Sequence, residues 1–476
     1  MAHRPHSVVV VLSSAFASLL PLVSGCSGDD GGSGASATTT GDSVTSTGSG
    51  EVTGMTAATE TETETGGTTT GAGEPAVVYY RDVKPILDSA CVGCHRAGDI
   101  APFALENYAE ASMWGEILVP EIEARTMPPW GASSECNTYR YDPSLSDEEI
   151  ATVKEWVELG TPEGDPADEP SPVDDEEPPI DYDVELASTL YEPTIYPDEY
   201  RCFLIDWPLV EERYITGFNI EPGERSIVHH VIAYVIPPAE IDTYVALDDA
   251  DPKPGYECYG GPGGEAVPRA QWLGAWAPGI PGGPLPEGTG IHVEPGSKVA
   301  IQIHYHPVEG AEPDLSVVKL RTEAMVERPA YLLPFANPLW MLGIVNMTIP
   351  AGAEEVRHTF EVDIPSTIDF LYPNADFGLD EPVKVSMAGL HMHNLGTRGT
   401  LKVHRAGGEE QCLVDVPRWD FNWQGIYRLE ESVIVDPSET IHLECFFDNS
   451  EGESSVAWGD GTEDEMCLGI FYVSAL

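Results

Sequence analysis

Basic residues are scarce: 23 Lys and Arg stand against 80 Asp and Glu in 476 residues, a formal charge of −57. So acidic a chain repels phosphate backbones and anionic headgroups, which argues against nucleic acid as a partner and against attachment to a membrane surface by charge. The plain consequence of the acidity is solubility. Long apolar runs are scarce too. The only extended one, about Val8 to Val23, falls short of the ~20 residues needed to span a bilayer. Long helical periodicities are also few, whereas 47 Gly and 41 Pro punctuate the chain. These proportions exclude an all-α protein and predict a turn-rich, mainly β one with room for two or three domains.

Residues 1–26 read as an export signal, with Arg4 in the charged start and the apolar run behind it. Val23-Ser24-Gly25-Cys26 resembles a bacterial lipoprotein cleavage box, which makes Cys26 the acylated first residue of a mature chain anchored in a membrane and facing the periplasm or the cell surface. Residues 27–75 are almost wholly Gly, Ser, Thr, Asp, Glu and Ala, too polar to build a core, and read as a disordered tether. A second, stiffer linker, acidic and Pro-rich, spans 166–182.

Between the linkers, 76–165 carries the most specific short motif, Cys91-Val92-Gly93-Cys94-His95. In an exported protein this spacing reads as covalent attachment of haem c through Cys91 and Cys94, with His95 as an axial ligand; a redox dithiol is the rival. Val83, Ile86 and Leu87 place the motif at the end of a short helix. Met127, in a Pro-stiffened loop, is the candidate sixth ligand, and Met113, inside the helical pattern 107–122, is expected in the core. Ser146 to Glu149 is a capping box opening a third helix, with Ile150, Val153 and Val157 as its stripe and Gly160 as its end. This segment resembles a small all-α, single-haem cytochrome c domain.

From 183 onward, strand-like runs alternate with Gly/Pro turns: 214–220, 227–235, 298–306, 359–362, 383–387, 400–403, 431–435 and 440–447. Two antiparallel β-sandwiches are expected, over 183–322 and 323–476. If the strand from Val383 continues, its period of two puts His391 and His393 on one face, where two imidazoles can chelate one ion. A thioether from Met466 turns that pair towards copper, Cu(I) above all. His229 and His230 point to opposite faces of an ideal strand, so sharing one metal needs a twist or bulge there.

With His229-His230, then His304 in Gln302-Ile303-His304-Tyr305-His306, then His391-Met392-His393, then Glu465-Met466-Cys467, residues 195–476 resemble the copper type II, ascorbate-dependent monooxygenases, the peptidylglycine α-hydroxylating and dopamine β-monooxygenase group. The resemblance implies jelly-roll-like sandwiches and two copper ions, one held by His229, His230 and His304 to pass an electron, the other by His391, His393 and Met466 to bind dioxygen. It implies disulfides Cys202–Cys258 and Cys445–Cys467, the second bracing Met466. Cys136 and Cys412 remain, either paired across the domains or free. His306 has no ligand role, and His292, His358, His404 and His442 read as surface or structural. Amidating members anchor a peptide carboxylate at three positions where this chain has Gly389, Leu468 and Ile470, so peptide amidation is doubtful and the pocket reads as apolar.

The function this implies is hydroxylation of a C–H bond of a small organic substrate with O₂. Electrons come from an ascorbate-like reductant or a periplasmic redox protein, by way of the fused haem. The alternatives are a non-catalytic periplasmic redox or copper-binding lipoprotein, and a β-sandwich module holding structural zinc.

Overall fold

The computed structural model describes residues 76–97, 101–171, 180–258, 261–263, 270–277, 282–371, 381–421, 423–459, 461 and 463–476. Cys26, the export signal and the tether lie outside the described residues, as does the stretch 172–179 of the second linker. The described residues belong to one unit, Ala72–Leu476. Among them, no helix is long and apolar enough to cross a membrane.

Three helices open the chain. Lys84–Ala90 ends at Cys91, placing the Cys-x-x-Cys-His turn just beyond its C-terminus. Tyr108–Glu123 is capped by the Asn107 side chain. Asp147–Glu158 begins with both bonds of the Ser146/Glu149 capping box, and Gly160 follows it at φ +80°, a left-handed stop that glycine adopts without strain. Their shared core holds Tyr79, Leu87, Leu105, Leu118, Ile122, Val153 and Trp156. Met113 is not in it. The second helix buries Ala111, Gly115, Leu118 and Ile122, a stripe at spacings of three and four, and leaves Met113 on the opposite face, 74% exposed.

The rest is mainly antiparallel β, though Arg328–Phe335 and Thr289–Val293 pair in parallel. A ladder of 14 strands runs through both halves, and a 4-stranded sheet lies in the C-terminal half, in the order Val356–Val362, Thr440–Phe447, Gly396–His404, Glu410–Val416. The halves share structure. Strand Arg328–Phe335 pairs with Leu468–Ala475 along one edge and with Gln271–Trp276 and Thr289–Val293 along the other. Its residues divide by the period of two: Leu333 and Phe335 enter the C-terminal core, Ala330 and Leu332 the N-terminal one. Leu468–Ala475 divides likewise, with Phe471 and Val473 on one side and Ile470 and Tyr472 on the other.

Segment 130–140 leaves the helical cluster for the C-terminal core. Ala132 and Tyr139 are buried there, the Tyr139 hydroxyl donates to Leu413 O at 3.2 Å, and Trp130 packs edge-on against Tyr427 with ring centres 4.8 Å apart. Cys136 and Cys412 are bonded across 276 residues of sequence, so the helices are stapled to the C-terminal sheet. Cys202–Cys258 and Cys445–Cys467 are also bonded.

Candidate metal centre

The His229 strand, Val228–Ile236, pairs with Lys298–Tyr305 so that Val228 faces Tyr305 and His230 faces His304; His229 is the extra residue of a bulge. The bulge does what an ideal strand forbids and turns both imidazoles to one side. Their Nδ1 atoms lie 3.4 Å apart, and the ligand atoms of His229, His230 and His304 lie within 4.8 Å of one another. His304 is held from both sides: its ring stacks on Tyr200 at 4.1 Å and 9°, and its Nε2 meets Asp198 Oδ1 at 3.0 Å. Its Nδ1 is buried without a hydrogen-bond partner among the described residues, an atom in want of a ligand. His306 touches the same Asp198 oxygen from the outside and is exposed. Burial lowers His229 to about 4 and drives His230 well below its usual value; it also lowers His304, against the pull of Asp198. Neutral imidazoles are the form that binds metal.

The second set sits at the end of Val383–His391. The ring centres of His391 and His393 are 5.0 Å apart, nearly perpendicular. His391 Nδ1 faces Gln424 Oε1, and Gln424 is turned that way because its amide nitrogen donates to Phe421 O at 2.9 Å. His393 Nδ1 faces Asp464 O at 3.0 Å. A nitrogen facing a carbonyl oxygen carries the proton, so both rings keep Nε2 for a metal. Burial lowers His391 to about 3. Met466 is buried beside them, and its neighbour Cys467 is bonded to Cys445. Glu465, fully buried, accepts the backbone N–H groups of His393, Leu395 and Met466, tying the His-x-His turn to the methionine loop. Burial raises its carboxyl to about 7 against those donors.

Both sets face one cavity of about 140 Å³, lined by His229, His230, His391, His393 and Met466. Phe421 stands between them, its ring 5.1 Å from that of His229 and 5.8 Å from that of His393. The walls are Ile232, Trp272, Trp276, Leu390, Leu468 and Ile470, and no Asp, Glu, Lys or Arg is among the described lining residues. Gly389 lies against the neighbouring strand: a Cβ there would come within 2.6 Å of Gly425 O, so no side chain, an arginine included, fits. Asp198, Gln424 and Glu465 brace the candidate ligands and Phe421 stands between the two sets, placements to which the sequence reading gave no role.

In the helical part, Cys91 and Cys94 are not bonded to each other. Burial pushes the Cys91 thiol up to about 12. His95 Nδ1 faces Phe103 O at 3.0 Å, which leaves its Nε2 as a ligand atom. The ring packs on Phe103, itself stacked on Trp114 at 4.4 Å. Met127 lines a cavity of about 660 Å³ between the helices and the C-terminal sheet, with Ile122, Leu145, Trp130, Trp419 and Trp423; His95 is not among its described lining residues. The buried Trp130 Nε1 has no partner among the described residues. The Trp419 indole N–H donates to His393 O at 3.1 Å.

Residues 346–474 match the copper type II ascorbate-dependent monooxygenase, C-terminal domain. That stretch contains His391, His393 and Met466, and the His229, His230 and His304 trio precedes it. The chain is 24% identical over 282 residues to DBH-like monooxygenase protein 1 of Gallus gallus, covering 56% of this chain and 43% of that protein. It is 24% identical over 295 residues to peptidyl-glycine α-amidating monooxygenase A of Xenopus laevis, with 60% and 27% covered. To dopamine β-hydroxylase of Canis lupus familiaris it is 24% identical over 204 residues, with 41% and 31% covered. The chain thus spans less than half the length of each of these relatives. Infectious bursal disease virus VP2 aligns over 65% of this chain and 76% of its own at 11% identity and a TM-score of 0.18, which bears on neither fold nor function. The chain is thus similar to copper type II ascorbate-dependent monooxygenases, and residues 346–474 are the part that matches the C-terminal domain of that family.

Proposed function

We propose that this protein is a copper-dependent monooxygenase that hydroxylates a C–H bond of a small, uncharged, apolar substrate. The observation that carries the reading is the convergence of two histidine sets on one apolar cavity. His229, His230 and His304 would hold one copper through nitrogens, and His391, His393 and Met466 the other through two Nε2 atoms and a thioether, a donor set suited to Cu(I). The two ions, when bound, supply one electron each and activate O₂, so that R–H, O₂, two electrons and two protons give R–OH and water.

The chain's own residues do the rest. Tyr200 and Asp198 fix His304, Gln424 fixes His391, and Glu465 fixes the turn and the methionine loop relative to each other. Trp272, Trp276, Leu468 and Ile470 exclude water and present an apolar wall. With no Lys or Arg among the described residues of the substrate wall, and with Gly389 closed to any side chain, the site suits a neutral aromatic or aliphatic molecule rather than a peptide carboxylate.

Haem c, held by Cys91, Cys94 and His95 with Met127 as sixth ligand, would supply single electrons. Cys91 and Cys94 form no disulfide, His95 keeps Nε2, and the Trp130 N–H, without a partner among the described residues, lines the same cavity as Met127 and suits a polar group of such a ligand. Trp419 lines the Met127 cavity and donates its indole N–H to the His393 carbonyl. An ascorbate-like reductant or a periplasmic redox protein would reload the haem, and acylation of Cys26 would hold the protein at a membrane outside the cytoplasm.

The test is O₂ uptake by the haem- and copper-loaded protein with a panel of small aromatic and aliphatic compounds, under ¹⁸O₂. Uptake coupled to a product carrying one ¹⁸O supports the proposal. Uptake that consumes reductant with no oxygenated product from any of the panel favours a non-catalytic redox protein.

A further inference from the structure

Outside the cavity, a second group of metal-ligating side chains stands on the outer face of the 4-stranded sheet. Strands Val356–Val362, Thr440–Phe447 and Gly396–His404 lie side by side, with Glu361 opposite His442 and Thr440 opposite His404. The alternate residues Leu401, Val403, Ile441 and Leu443 are fully buried in the core. The period of two therefore turns Glu361, His404 and His442 outward together.

They converge on one point. His404 and His442 stack with ring centres 4.8 Å apart and planes at 16°, each presenting Nδ1 to the same carboxylate. His404 Nδ1 is 3.0 Å from Glu361 Oε1, and His442 Nδ1 is 3.3 Å from Glu361 Oε2. The three ligand atoms lie within 4.8 Å of one another, the same envelope that encloses His229, His230 and His304. Around a tetrahedral ion with bonds of about 2.0–2.2 Å, neighbouring donor atoms stand roughly 3.3–3.5 Å apart. The two separations to Glu361 lie at or just below that range and the third is within 4.8 Å, so side-chain rotations would open the cluster to an ion. Thr440 Oγ1 donates to Glu361 Oε1 and orients the carboxylate, while Glu410 Oε1 lies 3.6 Å from His404 Nε2 and adds negative charge.

We propose that Glu361, His404 and His442 form a divalent-metal site, separate from the candidate copper centre, that takes zinc or a similar borderline ion with water completing its shell. Two imidazoles and one carboxylate select such ions over calcium or magnesium, which prefer oxygen alone. The ion links three strands on the solvent face of the sheet. The site is partly exposed and binds reversibly, and it does not depend on the catalytic reading.

The experiment uses the full chain, already loaded at its buried sites with copper, and titrates Zn²⁺ against a chromophoric chelator. His442→Ala, His404→Ala and the shape-preserving Glu361→Gln are compared with wild type, with thermal melts of each recorded with and without Zn²⁺. The proposal expects one reversible Zn²⁺ per wild-type chain, a higher Tm with Zn²⁺, and a loss of affinity of at least about tenfold with no Zn²⁺-dependent rise in Tm in the variants. Equal Zn²⁺ affinity in wild type and in Glu361→Gln, which keeps the sheet intact, overturns it, as does a wild-type chain that binds no zinc.

Discussion

A histidine is a good metal ligand when its other nitrogen is held, because that bond sets both the tautomer and the direction of the ring. Gln424 does this for His391, and Phe421 O in turn holds Gln424. Gln424→Leu should therefore weaken copper binding at His391/His393/Met466 by roughly 10- to 100-fold while sparing the His229 site, measurable by competition with a Cu(I) chelator. Equal loss at both sites, or none, would contradict this role. The candidate ligands were named in the sequence because His229-His230, His304, His391-Met392-His393 and Glu465-Met466-Cys467 stand in the order of the family that the chain resembles. Their supports were not. Asp198 and Glu465 are 2 of 80 acidic residues, and nothing local distinguishes the buried Glu465 from its solvated neighbour Glu463. Gln424 lies 33 residues from the ring it orients, a proximity that only the pairing of Val383–His391 with Ile426–Val435 creates.

At the scale of elements, the strands that alternate apolar and polar residues were readable: all eight runs named from the sequence lie within or overlap observed strands. Leu468–Ala475 was missed because both of its faces are covered, so seven of its eight positions are buried and it shows no alternation. Arg328–Phe335, which joins the two halves, was missed because Pro329 and Pro334 interrupt it as a strand signal. The His229 bulge was anticipated only as a requirement, and the register supplies it. Met113 was misplaced because an apolar residue within a helical window was read without asking which face it occupies. Strand Glu199–Asp206 also anchors the loop that follows Ala250: buried Arg201 pairs with Asp251 at 2.9 Å and donates to Pro254 O and Gly255 O. The hydrogen bond from Arg201 lowers the Asp251 carboxyl to about 2 from its usual 3.8. A depressed carboxyl stabilises the fold above its unfolded value and ceases to as pH falls through its folded one. Asp251→Asn should therefore melt below wild type at pH 6, with the gap closing between about pH 4 and pH 2. A gap that persists unchanged at pH 2 would contradict the assignment.

For the whole molecule, the Cys136–Cys412 bond ties the N-terminal helices to the 4-stranded sheet, and segment 130–140 packs in the C-terminal core and bridges Tyr139 to Leu429, on the strand beside the one that ends at His391. A tether at this point makes sense if electrons enter from that side, through Trp419 to His393. If haem c is bound as proposed, Trp419→Phe, which removes the N–H but keeps a ring, should slow oxidation of the reduced haem by copper severalfold in stopped-flow absorbance, with the haem spectrum and copper content unchanged. An unaltered rate would send the electrons by another path. No feature of the sequence could place Trp419, since it meets both partners only after the sheet and the helices have docked.

The central claim is that His391, His393 and Met466 bind copper as one site. Copper K-edge X-ray absorption of the reduced, chelator-washed protein and of Met466→Ala tests it most directly. The account predicts two tightly held coppers per chain, a sulfur scatterer on one of them, and loss of that scatterer in the variant while the nitrogen ligands of the other copper persist. A buried site filled by zinc, or a copper spectrum indifferent to Met466, would contradict it.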